Sequence, residues 1–179
     1  MRRVLSLAAA AALTFPAQAW PASADARLPA PPQQMFEAML FYAEQGSFDK
    51  AVRVLDNMAP LLLEIKAAYG TDLAGETRAA LKKRDAWQAQ TAVLKVVYYH
   101  MKLELATALQ AQGHRALVSV RVAYLDYLFL VPRLRRKDKT LAAAAERHFK
   151  SVHELVGSDR TAAKAEDSAA IHIPEIERI

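Results

Sequence analysis

Not one cysteine occurs in the 179 residues. No disulfide can brace the chain, no thiolate can serve as nucleophile or metal ligand, and no cysteine can carry a lipid anchor. Stability must therefore come from burial alone. Glycine is nearly as scarce, at 5 residues, and the glycine-dependent phosphate cradles, the P-loop and G-x-G-x-x-G, are absent. G-x-S-x-G and H-E-x-x-H are missing too, so the chain reads as a non-enzyme. No segment after the N-terminal leader is long and uncharged enough to span a bilayer, which takes about 20 residues. No run alternates apolar and polar residues in strand fashion, so no sheet is expected.

What is present begins with an address. Met1-Arg2-Arg3, the apolar run Val4 to Phe15, and Pro16-Ala17-Gln18-Ala19 before Trp20 form the basic start, apolar stretch and small-x-small site of a signal peptide. Cleavage is expected after Ala19, with Ala22-Ser23-Ala24 as a second small-x-small site. Arg2-Arg3 lacks the flanking pattern of a twin-arginine signal, so ordinary export to the periplasm is expected. The leader's only charges are these two arginines, and its removal lowers the formal charge from +5 to +3. That mild excess in an exported protein gives no reason to expect a nucleic-acid partner. Residues 20–32 hold four of the eight prolines and read as an extended stretch. The domain follows over 33–157, and a polar tail over 158–179.

Within the domain, apolar residues recur at three and four, which predicts an all-α antiparallel bundle of five to six helices arranged as stacked hairpins. The first helix spans about Gln33 to Gln45, buries Phe36, Met39, Leu40 and Ala43, and stops at Gly46. Ser47 can cap the second, whose stripe is Ala51, Leu55, Met58, Leu62, Ile65 and Tyr69; Pro60 falls inside it, so the helix is expected to kink or restart near Met58-Ala59 and to close at Gly70. A third opens at Thr71 or Asp72 and ends in Lys82-Lys83-Arg84. Asp85 caps the longest, about Ala86 to Gln112, with Trp87, Leu94, Tyr98, Met101, Leu105 and Leu109 turned inward. The fifth, His114 to Val131, is apolar nearly all round and is expected in the middle of the bundle. A basic turn from Pro132 to Lys139 leads to the sixth, about Lys139 to Val156, with Leu141, Ala145, His148, Val152 and Leu155 inward.

Several constellations bear on function. His100 and Glu104 are four apart on one helix face and can present two ligands to one ion. Asp126 is an acid on the most apolar helix, and His148 lies on an inner stripe. These four residues form a candidate site for a transition metal ion; the alternative is a solvated His100–Glu104 pair and an Asp126 held by Arg121 or Arg115. The paired Glu-x-x-His motifs of a carboxylate di-iron bundle are absent. Met35 or Met39 with His148 or His153 have the side chains for haem ligation, though methionine is also ordinary core filler. Arg133, Arg135, Arg136 and Lys137 are candidates for meeting an acidic partner or anionic lipid, or for complementing a helix C-terminus. Tyr98, Tyr99, Tyr124 and Tyr127 fit core and rim positions.

Phe41-Tyr42-Ala43-Glu44-Gln45-Gly46-Ser47-Phe48-Asp49-Lys50-Ala51 resembles the turn of a tetratricopeptide repeat over one hairpin. Arg84-Asp85-Ala86-Trp87, Tyr98-Tyr99, Val122-Ala123-Tyr124-Leu125-Asp126, Arg135-Arg136-Lys137-Asp138 and Leu141-Ala142-Ala143-Ala144 resemble the exported helical segments that accompany iron permeases. That permease's Arg-Glu-Gly-x-Glu motif is absent, so no functional residue carries over. The second likeness implies a periplasmic module accessory to metal or cofactor handling; the first implies an adaptor for another exported or membrane protein.

Overall fold

A computed structural model describes residues 30–157. The expected leader, most of the proline-rich stretch and the tail lie outside the described residues. Among the described residues there are seven helices and no strand: α1 (Pro32–Glu44), α2 (Phe48–Asn57), α3 (Ala59–Tyr69), α4 (Leu73–Lys82), α5 (Ala86–Gln110), α6 (His114–Lys137) and α7 (Lys139–Gly157). None of them is long and apolar enough to cross a membrane.

The helix count exceeds the expectation because the second predicted helix is divided. Proline cannot donate to the preceding turn, and Pro60 accordingly sits in the first turn of α3 after the break at Met58. The other boundaries follow local chemistry. Gly70 takes the left-handed conformation (φ 69°) and its N–H bonds Lys66 O at 2.8 Å. Asp85 accepts from Gln88 N at 2.9 Å. Ser47 occupies the cap position of α2, but its hydroxyl makes no capping bond. Between α4 and α5, Arg84 adopts φ 55°, a region where a side chain crowds the backbone and glycine is usual.

α5 stands at the centre, touching α1, α3, α4 and α6, while α7 packs on α6 and α2 packs on α1 and α4. The predicted central helix, α6, packs between α5 and α7 and leaves one side exposed, whereas four helices pack against α5. α5 buries Ala89, Val93, Val96, Val97, His100, Met101, Leu105 and Ala108. Trp87 and Leu109, expected inward, are 69% and 44% exposed. α6 also runs past Pro132 to Lys137, so the expected basic turn is the helix's own last turns. On α7 the buried line is Ala142, Ala145, Phe149 and Val152, with Leu141 and His148 half-buried.

The core has two parts. The first gathers Phe36, Met39, Leu55, Met58, Ile65, Leu73, Leu81, Val93, Val96 and Val97 from the α1 to α5 segment. The second joins Met101, Leu105, Val120, Ala123, Tyr127, Phe149 and Val152 from α5 to α7. Each large side chain so buried contributes roughly 1.5–3 kcal/mol, which is what stands in place of disulfides here.

Candidate functional site

Between Val97 of the first core part and Met101 of the second stands His100, 2% exposed. Its ring is one member of a buried polar row. Nδ1 lies 2.6 Å from Asp126 Oδ2, and Asp126 is wholly shielded from water. Gln33, in the first turn of α1, donates its Nε2 hydrogen to Asp126 Oδ1 at 2.9 Å. On the opposite edge of the imidazole, Nε2 is 3.6 Å from Glu104 Oε1. The Phe36 ring meets the imidazole edge-on, with centroids 5.5 Å apart.

Three helices thus meet through one carboxylate. Burial raises the Asp126 pKa above its ordinary 3.8, because removing water penalises the anion; the His100 hydrogen bond, the His100 charge and the Gln33 bond pull the other way. Both carboxylate oxygens have partners, so hydrogen bonding offsets part of the burial cost.

The structure brings together three of the four residues expected around a metal: His100, Glu104 and Asp126. Their arrangement is not that of a ligand shell. One ion needs lone pairs converging on a point, whereas the two ring nitrogens here point to different carboxylates across the imidazole. Among the described residues, no group of three or more His, Cys, Asp or Glu is placed to hold a metal ion. His148 stands half-buried on α7, the helix that packs on α6. The arginines offered as alternative partners of Asp126, Arg115 and Arg121, are exposed on α6 instead. Of the methionines considered for haem, Met39 is buried in the first core part and Met35 packs against it; the His153 side chain lies outside the described residues.

The basic cluster divides. Arg133 turns to α5 and donates to Thr91 Oγ1 at 2.9 Å, and burial with the neighbouring Arg136 charge lowers its pKa. Arg135 turns to α7 and pairs with Glu146 at 3.0 Å. Arg136 and Lys137 remain exposed.

A second surface went unforeseen. His114, Val118, Arg121, Leu125, Leu128, Pro132 and Arg136 recur at three and four along α6, and every one is exposed. Val118, Leu125 and Leu128 are 43%, 47% and 46% exposed. The only acid in α6 is the buried Asp126, so this outer face carries cations and aliphatic groups with no negative charge. The signal was in the sequence: a helix with apolar residues all round can belong in the middle, or can keep one side for another molecule. Gln33, half-buried three residues before Phe36 on α1, carries no local signal that it meets Asp126.

No family model matches the chain, and neither the characterised proteins nor the solved structures compared with it match.

Proposed function

We propose that this chain is an exported helical interaction module that holds a partner protein of the cell envelope against the outer face of α6. The observation that carries the reading is the line Val118, Leu125 and Leu128, aliphatic side chains left nearly half exposed on a helix whose surface has no acid. A helix on the outside of a bundle ordinarily turns polar groups to water, and contiguous exposed apolar surface marks interaction sites. The spacing of these residues suits the apolar stripe of a partner helix laid alongside. Arg121 within the line, and Arg115 beside it, favour a partner with an acidic rim.

Export rests on the basic start, apolar run and small-x-small site of Met1 to Ala19. Of the two readings drawn from the sequence, metal handling and adaptor, the α6 surface supports the adaptor. The polar row at His100 joins α1, α5 and α6, a structural role that needs no ligand.

A photo-crosslinking residue placed at Leu125 or Leu128 in the exporting cell should trap one discrete partner, and the same residue at exposed Lys50 on α2 should not. Leu125→Glu should abolish the adduct formed from position 128 while leaving the melting temperature unchanged. Equal adducts from α2 and α6, or none from α6, would overturn the reading. N-terminal sequencing of the purified protein should begin at Trp20; a sequence beginning at Met1 would remove the export component.

A further inference from the structure

α5 and α6 run antiparallel, with His100 opposite Asp126 and Thr91 opposite Arg133. That register carries the start of α5 to the end of α6, so the α4–α5 turn and the α6–α7 turn share one end of the bundle. Eight cations belong to these two turns and the helix ends that enter them: Lys82, Lys83, Arg84, Arg133, Arg135, Arg136, Lys137 and Lys139. Three have partners, Arg84 with Asp49, Arg133 with Thr91 and Arg135 with Glu146. The other five make no ion pair among the described residues. The acids within the turns, Asp85 and Asp138, are engaged as caps, accepting from Gln88 N and Leu141 N at 2.9 Å each. Trp87, in the first turn of α5, stands among them with 69% of its surface exposed.

We infer that this end of the bundle docks on an anionic phospholipid surface, with the Trp87 indole at headgroup level and Lys82, Lys83, Arg136, Lys137 and Lys139 against the lipid phosphates. An indole flanked by lysine and arginine is the side-chain set that settles at a bilayer interface, where the ring is amphipathic and the cations meet negative surface potential. The five cations sit on long side chains from two separate turns at the end of the bundle that also holds Trp87. That suits dispersed, mobile charges better than the fixed pattern of an acidic peptide, and the aliphatic stripe a protein partner needs lies elsewhere, on α6. The proposal shares Arg136 with the end of the α6 face but uses none of Val118, Leu125 and Leu128, which carry the proposed function, so either stands without the other.

The test uses the mature chain with Trp20→Phe, which leaves Trp87 as the single tryptophan of the two in the sequence. It is mixed with vesicles of phosphatidylcholine alone, or of phosphatidylcholine with phosphatidylglycerol. Binding to the anionic vesicles only, with a blue shift of the Trp87 emission, is expected. Lys83→Gln with Lys137→Gln should lower the partition coefficient about tenfold or more, at about 1 kcal/mol per cation, and Leu125→Glu should leave it unchanged. Both sets of substitutions are at exposed positions, and melting curves will verify that the variants fold. Equal binding to neutral vesicles, an unshifted Trp87 emission, insensitivity to the two lysines, or a preference for an acidic peptide over anionic vesicles overturns the inference.

Discussion

Asp126 and His100, 26 residues apart in the chain, meet at 2.6 Å where the two parts of the core adjoin. A carboxylate so placed fixes which turn of α6 faces which turn of α5. It also fixes α1, through Gln33. Removing it leaves Nδ1 of the buried His100 and the half-buried Gln33 amide without this partner. Asp126→Ala should cost about 3–5 kcal/mol, the range for breaking a buried pair from one side. Asp126→Asn, which keeps the shape and a hydrogen-bonding amide, should cost less. Urea titration of both variants decides this, and equal losses would mean that neither the shape nor the amide of asparagine replaces the carboxylate.

The same residue sets a pH dependence. Its folded pKa is raised, so between the ordinary value of 3.8 and the folded value the native state holds more protons than the unfolded chain. Stability therefore falls as pH rises through that window, by at most about 1.4 kcal/mol per pH unit for one proton. Asp126→Asn should remove this part of the slope, as read from the difference between the two stability–pH curves. Parallel curves would show that the carboxyl titrates alike in both states.

Gly75 and Asp72 form a second pair with an unusual sign. Asp72 caps α4 by accepting from Gly75 N at 3.5 Å, and a Cβ built on Gly75 would come within 2.6 Å of Asp72 Oδ2. Glycine to alanine in a helix ordinarily gains about 0.8–1.0 kcal/mol. Here the new methyl group displaces the capping carboxylate, and losing a cap costs about 1 kcal/mol. Gly75→Ala should thus be close to neutral in the native background and stabilising when combined with Asp72→Ala. Thermal melts of the two single variants and the double variant measure the coupling.

Thr77 is 1% exposed, and its Oγ1 has no hydrogen-bond partner among the described residues. A buried hydroxyl without a partner is a liability that a methyl group of the same size lacks. Thr77→Val should raise stability by about 1 kcal/mol, seen as a higher urea midpoint at unchanged slope. A loss of stability would mean the hydroxyl finds a partner in solution.

Local signals located most of the fold. Gly46, Gly70, Gly113 and the Lys83-Arg84-Asp85 turn mark real breaks, because each depends on the residue itself and its nearest neighbours. His100 and Glu104 sharing a face followed from helical geometry alone. What was hidden depends on partners remote in sequence. Gln33 reaches Asp126 across 93 residues, and nothing in either local stretch announces the other. Trp87, which hydrophobicity alone would bury, is exposed in the first turn of α5, because which side of that turn faces its neighbours is set by packing remote in sequence. Pro132 stops nothing. Its missing N–H removes one bond from a helix that is held beyond it by Arg133 on Thr91 and by Leu134 packing into the second core part.

The divided core has a bearing on how the molecule opens. α7 belongs to the second part alone, and there its Ala145, Phe149 and Val152 cluster with residues of α5 and α6. It can lift away without disturbing Phe36, Ile65 or Val93. Amide protons of α7 should therefore exchange with deuterium well before those of Val93 to Val97, and the chain should come apart in stages from its C-terminal hairpin inward, with the α1–α5 half as the last to let solvent in.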